Sequence, residues 1–241
     1  MYPRYKTWFE ENGKECKAVI GISGGIDSSV VVALCKEALG EERVLGIMML
    51  QGRQKDIDES ILLCKHLDIP NHTINIGDLV NTAEYEFSNA ISMDLSEQTK
   101  INIPARIRMA TLYAVSQTVN GRVVNTSNLS ESFVGYDTRW GDSVGDYSPL
   151  FNLTKTEIRQ LAIELELPKI LVHKQPQDGL CGQTDEEKFG FTYEQLDKYI
   201  RCGEIEDLNI KEKITYMHEK NLFKLMPMCS YIPSKEVIQF D

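Results

Sequence analysis

Short apolar runs alternate with segments of helical periodicity along the first half of the chain. The runs at residues 17–22, 43–50, 71–76 and 123–126 predict four strands. Apolar residues at helical spacing predict a helix that ends at Gly40, and another over residues 56–67 whose inner face carries Ile57, Ile61, Leu62 and Cys64. This alternation predicts an α/β fold with a doubly wound, Rossmann-like parallel sheet, and a ligand at the carboxyl ends of its strands.

The rest of the chain predicts further helices and two long polar loops. Residues 1–16 and 78–93 have the pattern of helices, and another helix is expected to begin at Pro104 and to close at Asn120-Gly121. Capping boxes at Thr154/Glu157 and Thr192/Gln195 open two more helices. Residues 127–149 and 168–188 are predicted to be loops, and the last forty residues contain an additional C-terminal helix and an irregular tail. We expect a single domain over residues 1–241.

Composition narrows the class of protein. The net charge of −10 argues against a nucleic-acid surface, and no apolar run approaches the roughly 20 residues of a membrane span. The six cysteines form no C-x-x-C pair and the four histidines are scattered, which argues against a zinc site. We expect a cytoplasmic enzyme that contacts neither membrane nor nucleic acid.

The turn after the first strand carries the strongest chemical signal, residues 21–28: Gly21, Ile22, Ser23, Gly24, Gly25, Ile26, Asp27 and Ser28. Glycines, hydroxyls and a helix start together favour an anion, most often phosphate. The sequence of this turn matches neither the Walker A motif nor the glycine-rich dinucleotide-binding motif. It resembles the pyrophosphate-binding loop of the N-type ATP pyrophosphatases, which cleave ATP between its α- and β-phosphates. The alternative is a Gly-rich turn in an α/β protein that binds no nucleotide.

Further motifs follow this loop in one order. They are residues 102–109 (NIPARIRM), 125–131 (NTSNLSE), Gly135-Tyr136, Gly141-Asp142, Asp146, Pro149-Leu150, 153–157 (LTKTE) and 182–186 (GQTDE). Together they resemble the ammonia-dependent NAD synthetase family over most of residues 15–200. The resemblance implies that deamido-NAD is adenylated by ATP and that ammonia then displaces AMP, with pyrophosphate as the other product. It also implies a homodimer, for which residues 78–93 and 104–120 are the candidate helices.

The resemblance also implies roles for individual residues. Asp27 and Glu131 would hold Mg²⁺, and Lys155 would reach the phosphates of ATP, so these three are the expected catalytic residues. ATP would further contact the loop at residues 21–28, Thr126 and Gln177. Deamido-NAD would contact Arg106, Arg139, Asp146 and Lys224. The residues alone leave other interpretations open: Asp27 as a helix cap, Glu131 as a solvated loop acid, Lys155 as an exposed helix residue and Arg108 as structural.

Three positions depart from the family pattern. Arg139 stands where lysine is usual, Gln177 replaces Thr or Ser, and Phe223-Lys224 replaces a His-Lys pair. Cys181 would be a nucleophile only with a partner base such as His173, and this alternative has little support. Residues 175–188 are too long for a mere connection, and we expect them to form a lid that ligands order.

Three functional alternatives remain open at this point. One is another amide ligase of the pyrophosphatase type, such as a GMP-synthetase-like enzyme. The second is a tRNA thiolase, which the acidic composition disfavours. The third is a nucleotide sensor without turnover, which would have no need of a metal-binding pair. The resemblance implies that a glutamine-dependent form would carry an extra amidase domain. Since the synthetase loop begins at Gly21, we expect no such domain, and ammonium rather than glutamine as the nitrogen source.

Overall fold

The computed structural model describes residues 2–52, 57–175 and 184–232. Within them a parallel sheet of four strands has the order β3-β2-β1-β4. The strands are β1 (Lys17–Gly21), β2 (Val44–Leu50), β3 (Asn71–Asn75) and β4 (Gly121–Val124). The central strand β1 pairs with β2 through Ile20 and Gly46, and with β4 through Ile20 and Val124. The predicted doubly wound parallel fold is confirmed.

Helices account for most of the remaining described residues. They are α1 (Tyr2–Asn12), α2 (Ile26–Leu39), α3 (Ile57–His66), α4 (Gly77–Ile91), α5 (Glu97–Thr118), α6 (Leu129–Val134), α7 (Lys155–Glu164), α8 (Lys169–Val172), α9 (Asp185–Phe189), α10 (Tyr193–Cys202) and α11 (Leu208–Leu225). A 3₁₀ turn at Glu41–Arg43 leads into β2. No helix of the described ranges is long and apolar enough to cross a membrane.

Alternate residues of β1 enter separate cores on the two faces of the sheet. Ala18 and Ile20 belong to one core, which includes residues of α1, α2, α3, α7 and α8. Val19, between them, belongs to a second core with residues of α4 and α5. Successive side chains of a strand point to opposite faces, so helices cover both faces of the sheet.

A third apolar cluster supports the region that follows the sheet. It joins α6, α9, α10 and α11 through Val134, Phe189, Tyr193, Leu196 and Ile214. Phe189 packs edge to face against Tyr193, with ring centroids 5.9 Å apart. The additional C-terminal helices predicted from the sequence therefore pack on α6, directly after β4.

The predicted helix ends are largely confirmed. Gly40 ends α2 with a φ of 86°, a conformation that favours glycine. In the box before α7, Glu157 Oε2 accepts a hydrogen bond from Thr154 N at 2.8 Å. In the box before α10, Gln195 Oε1 accepts from Thr192 N at 2.9 Å. Side chains that pair within one turn can be recognised from sequence alone because they need no tertiary partner.

The predicted start of the helix at Pro104 is wrong. Helix α5 begins after Ser96, whose Oγ accepts a hydrogen bond from Thr99 N at 3.2 Å, and it continues through a buried Pro104. Pro104 has no N–H, so the carbonyl of Lys100 receives no helical hydrogen bond there. Packing in the second core outweighs this loss, since Ile103 and Ala105 on either side are also buried.

Two other expectations also need correction. The predicted loops contain short helices: α6 lies within residues 127–149, α8 lies within residues 168–188, and α9 begins there and ends at Phe189. On α3 the core is filled by Leu63 and Cys64, whereas Leu62 is 40% exposed. A pattern of adjacent apolar residues does not decide which of two neighbours faces the sheet, because that depends on how the helix rotates against its partner.

Candidate active site

The glycine- and serine-rich turn lies at the carboxyl end of β1 and leads directly into α2. Gly24 has a φ of 75°, a backbone conformation that glycine adopts without strain. Ser23 Oγ accepts from Gly25 N at 3.2 Å, and Ser28 Oγ donates to Gly25 O at 3.1 Å. Gly25 is the N-cap of α2 and supplies no side-chain cap. The turn therefore presents hydroxyls and an uncapped helix N-terminus, a combination suited to an anion such as pyrophosphate.

Lys174 is a cation at this turn that the sequence reasoning missed. Its Nζ donates to Gly24 O at 3.3 Å, although 150 residues separate the two. The local sequence does not indicate a role for Lys174, because this residue follows the short helix α8 and is distant in sequence from the turn. The contact adds positive charge beside a turn that suits an anion.

Three predicted residues meet beside the turn: Asp27 in the first turn of α2, Glu131 in α6 and Lys155 at the start of α7. Lys155 Nζ lies 2.7 Å from Asp27 Oδ2 and 2.7 Å from Glu131 Oε1. The Lys155 side chain is only 4% exposed, and the carboxylates are 18% and 19% exposed. We call these residues the charged triad.

The charged triad corrects three alternative interpretations. Asp27 is not a helix cap, because its Oδ1 accepts from Asn128 Nδ2 at 3.1 Å and its Oδ2 pairs with Lys155. Glu131 lies on a helix rather than on a solvated loop. Lys155 is buried, although a lysine at the start of a helix is ordinarily exposed. The two carboxylates offset the unfavourable position of this cation.

Burial and charge act in opposite directions within the charged triad. Burial would lower the pKa of Lys155, but the negative charges of Asp27 and Glu131 outweigh it, so the pKa of Lys155 is raised and the ammonium form is retained. Burial raises the pKa of Glu131, the charge of Lys155 opposes the shift, and Asp27 adds to it. With both acids ionised, the charged triad has one excess negative charge and favours a further cation.

Tyr193 and Asp185 border the charged triad, and the sequence reasoning gave neither a role. Tyr193 Oη donates to Asp185 Oδ2 at 3.0 Å and lies 3.5 Å from Glu131 Oε1. The ring of Tyr193 is centred 5.2 Å from Lys155 Nζ. Burial raises the pKa of Tyr193, and the nearby carboxylates raise it further, so the phenol stays protonated as a donor. Asp185 lies in the GQTDE motif, and this motif was the sequence feature from which a role for Asp185 could have been inferred.

The donor set of the charged triad fits Mg²⁺ shared with phosphate. Among the described residues no group of three or more His, Cys, Asp and Glu side chains could hold a metal by itself. Magnesium is ordinarily bound by one or two carboxylates together with phosphate oxygens and water. Asp27 and Glu131 supply two carboxylates, so the site suits a metal that arrives with a nucleotide better than a resident ion.

Thr126 and Asp146 lie at the end of β4. Thr126 is half-buried and follows the strand by two residues. Asp146 Oδ2 accepts from Val123 N at 2.7 Å, and its Oδ1 accepts from Tyr113 Oη at 3.3 Å. Asp146 thus fastens its own segment to β4, while its side chain stays near the surface. Its predicted contact with deamido-NAD remains a prediction.

The three predicted cations for deamido-NAD fall in one region. Arg106 Nη2 donates to Arg139 O at 3.4 Å. The guanidinium of Arg139 lies 5.0 Å from the ring centre of Trp140 and 5.3 Å from that of Phe223. Lys224 Nζ donates to Gly135 O at 2.6 Å and to Asp137 O at 2.7 Å. Two of the positions that depart from the family pattern, Arg139 and Phe223, are therefore in contact.

Some predicted features lie outside the described residues. These are Gln177, Cys181 and most of the proposed lid, residues 176–183. His173, the suggested partner of Cys181, is exposed at the end of α8.

Comparison with known proteins identifies the family of the chain. The sequence profile described as "NAD synthase" matches residues 6–232. The NH(3)-dependent NAD(+) synthetase of Thermococcus sibiricus is 41% identical over 196 residues, which cover 81% of this chain and 75% of the relative. The NH3-dependent NAD synthetase structure from Campylobacter jejuni shares 28% identity at a TM-score of 0.76, over 95% of this chain and 97% of the other.

A second solved structure is similar over the same extent. It is the NMN synthetase from Francisella tularensis, with 29% identity and a TM-score of 0.85, covering 95% of this chain and 96% of the other. The relatives are similar over most of their length, and the profile spans nearly all of the chain. The chain belongs to the NAD synthase family.

Proposed function

We propose that the protein catalyses the ATP-dependent amidation of deamido-NAD by ammonia, with AMP and pyrophosphate as products. The observation that carries this proposal is the charged triad, in which Lys155 Nζ lies 2.7 Å from both Asp27 and Glu131. It lies beside a serine- and glycine-rich turn suited to pyrophosphate. The relatives named NH(3)-dependent NAD(+) synthetase support the nature of the substrate and of the nitrogen donor.

In the first step the nicotinate carboxylate attacks the α-phosphate of ATP, and the bond to the β-phosphate breaks. Negative charge then develops on the leaving pyrophosphate, so catalysis depends on positioning and on positive charge. The hydroxyls of Ser23 and Ser28 and the N-terminus of α2 would bind the pyrophosphate. Lys155 remains protonated and would neutralise charge on the phosphates.

Asp27 and Glu131 would hold Mg²⁺ together with the phosphates. A metal there supplies charge neutralisation and orients the phosphates. The two carboxylates also hold Lys155 in place before the nucleotide binds. Thr126, the loop at residues 21–28 and Gln177 remain the predicted ATP contacts.

In the second step ammonia attacks the adenylated carbonyl, the bond to AMP breaks, and the amide forms after the loss of a proton. Arg106 and Arg139 would bind anionic groups of deamido-NAD, since the Arg106 guanidinium donates to the carbonyl of Arg139 and the two residues are therefore in contact. Asp146 would contact a hydroxyl of that substrate. Lys224 donates to the carbonyls of Gly135 and Asp137, so its contribution would be to shape this surface unless the substrate displaces these bonds.

The test is product stoichiometry with purified protein, ATP, Mg²⁺, deamido-NAD and ammonium. We expect NAD, AMP and pyrophosphate in equal amounts, and almost no NAD when glutamine replaces ammonium. Lys155→Met should reduce product formation to a small residual rate, whereas the exposed Lys169 of α8, changed to Met, should leave it unchanged. Binding of ATP without pyrophosphate release would favour the nucleotide sensor. Release that does not require deamido-NAD would favour another amide ligase of this type.

A second candidate substrate is the deamido form of NMN. Two observations favour it: the similarity to an NMN synthetase at a TM-score of 0.85, and the internal contacts of Arg139 and Lys224. Both side chains were expected to bind the dinucleotide. Parallel measurement of kcat/KM for deamido-NAD and deamido-NMN decides between them, and we expect the dinucleotide to be preferred.

The proposal includes a homodimer formed through α4. This helix exposes Leu79, Tyr85, Phe87 and Ile91, each between 51% and 65%, and Met93 just beyond it is 67% exposed. Several large apolar side chains exposed along one helix support an interaction site there. Tyr85→Glu should shift the mass measured by light scattering from dimer to monomer. Tyr216→Glu, on the equally exposed Tyr216 of α11, should not. A monomeric mass for the unmodified protein would contradict this part of the proposal.

We also propose one synthetase domain over residues 1–241 and a cytoplasmic location. The profile match over residues 6–232 supports the first. For the second, the cysteines within the described ranges are free thiols at positions 16, 35, 64, 202 and 229, as is usual in a reducing compartment.

A further inference from the structure

A buried aspartate in α10 connects the two helices that carry Glu131 and Lys155. Asp197 is only 4% exposed, and both of its carboxylate oxygens accept hydrogen bonds. Its Oδ1 accepts from Ser130 Oγ, and its Oδ2 accepts from Thr156 N at 2.8 Å. Ser130 Oγ in turn accepts from Lys155 N at 2.9 Å. One carboxylate therefore fixes the residue before Glu131 and the residue after Lys155.

Capping of α7 does not by itself explain why the buried Asp197 accepts these two hydrogen bonds. Thr154 and Glu157 already form the capping interaction of this helix within one turn. The hydrogen bonds of Ser130 and Asp197 are additional, and they reach the helix from α6 and α10. Their effect is to hold the start of α7 against α6, which sets the distance between the Lys155 and Glu131 side chains.

Helices α10 and α7 have a second connection at the surface, which offers a matched control. Arg201 of α10 donates to Glu157 of α7 through Nε at 2.8 Å and through Nη2 at 2.6 Å. Both side chains are well exposed, at 42% and 37%. This pair joins α10 to α7 without contacting Ser130, Lys155 or α6. Loss of Arg201 therefore weakens helix packing but leaves the buried chain of hydrogen bonds intact.

We propose that Asp197 is a positioning residue, which acts through Ser130 and the backbone of α7 to place Lys155 against Glu131. The inference rests on the proposed function, because it assigns Lys155 and Glu131 to the reaction. A displacement of a catalytic group by about 1 Å can lower a rate by about 100-fold. The buried hydrogen bonds prevent such a displacement between α6 and α7, which a long loop separates.

The experiment compares Asp197→Asn, Ser130→Ala and Arg201→Gln, with kcat measured on protein whose folded fraction is checked by circular dichroism. Asp197→Asn should lower kcat by about 10- to 100-fold, as loss of supporting hydrogen bonds does in other sites. The KM for ATP should change little. Ser130→Thr, which retains the hydroxyl, should recover most of the activity lost in Ser130→Ala. Arg201→Gln should stay within about twofold of the unmodified enzyme.

Two combinations test whether Asp197 acts through the charged triad. Asp197→Asn with Ser130→Ala should lose little more activity than either change alone, because both interrupt the same hydrogen-bonded chain. In protein that already carries Lys155→Met, Asp197→Asn should change the residual rate by less than about twofold. The proposal would be overturned if Asp197→Asn lowered the rate of the Lys155→Met protein by the same factor as it lowers that of the unmodified enzyme. A near-normal kcat in Asp197→Asn alone would also overturn it.

Amide hydrogen exchange supplies a readout that does not depend on activity. Exchange at Lys155 and Thr156 should accelerate in Asp197→Asn and not in Arg201→Gln. Suppose that the unmodified protein lacked amidation activity but that exchange accelerated in Asp197→Asn and not in Arg201→Gln. The proposed function would then fail, while the structural connection would stand. Unchanged exchange at both amides in Asp197→Asn would remove the connection itself.

Discussion

The Nζ atom of Lys155 lies 2.7 Å from the Oδ2 atom of Asp27, and 128 residues of sequence separate the two. Strand order makes this possible, because β1, which leads to Asp27, is paired in parallel with β4, which leads to Glu131. Lys155 then reaches both carboxylates from α7. Its cation is buried only because two anions accompany it, and this balance governs both the stability and the chemistry of the site.

Lys155→Met should destabilise the fold. The change leaves Asp27 and Glu131 beside each other without their shared cation, and breaking a buried ion pair on one side costs about 3–5 kcal/mol. Chemical denaturation should show a loss of that size in the free energy of unfolding. Lys169→Met, on an exposed residue, should stay within about 0.5 kcal/mol. Equal effects of the two changes would contradict the burial argument.

Asp27→Asn and Glu131→Gln should remove activity while retaining the fold. Both acids lie on helices and are less than one-fifth exposed. The fold should survive because, after either change, Lys155 keeps one carboxylate partner. Each variant should lose several kcal/mol of transition-state stabilisation, or about 100-fold or more in kcat/KM, and should need more Mg²⁺.

The matched control for these two variants is Glu164→Gln, since Glu164 is exposed at the end of α7. It should leave both kcat/KM and the Mg²⁺ requirement unchanged. Normal turnover in Asp27→Asn or in Glu131→Gln would remove that residue from the site.

The raised pKa of Glu131 predicts an opposite pH dependence for stability and for activity. The folded protein binds this proton more tightly than the unfolded chain, so the contribution of Glu131 to stability is full below the ordinary glutamate pKa. It is lost as pH rises through the higher folded pKa. The difference in unfolding free energy between the unmodified protein and Glu131→Gln should therefore fall as pH rises above the ordinary glutamate range.

Activity requires the ionised form of Glu131. The pH at which activity is lost on acidification should therefore lie above the ordinary range of glutamate pKa values. Activity should be measured as pyrophosphate release at saturating deamido-NAD, where ammonia titration has no part in the first step. A stability difference that does not vary with pH would mean that the pKa of Glu131 is not raised.

Gly135→Ala should destabilise the contact between α6 and α11. Gly135 has a φ of 69°, and a Cβ there would lie 2.2 Å from Asn221. Gly203 has a similar φ of 72° but nothing within 4 Å of such a Cβ, so Gly203→Ala is the control for backbone strain alone. We expect a loss of about 1 kcal/mol for the control and a clearly larger loss for Gly135→Ala. Thermal denaturation of both variants would measure the difference.

The sequence by itself determined the features that depend on near neighbours. The alternation of strands and helices, the turn at residues 21–28, the glycine that ends α2 and two capping boxes all involve residues within a few positions of one another. Their backbone angles and hydrogen bonds follow from the local chain. The ordered motifs added the family, and through it the roles expected of Asp27, Glu131 and Lys155.

Tertiary structure decided the features that depend on distant partners. It buried Lys155 between two carboxylates, brought Lys174, Asp185 and Tyr193 to the candidate site, and connected Asp197 to the helices that carry Glu131 and Lys155. It also turned Leu63 rather than Leu62 to the core and carried α5 through Pro104. In each case the local preference was outweighed by packing or by charge pairing between segments that meet only after the sheet has formed, which no local pattern of residues specifies.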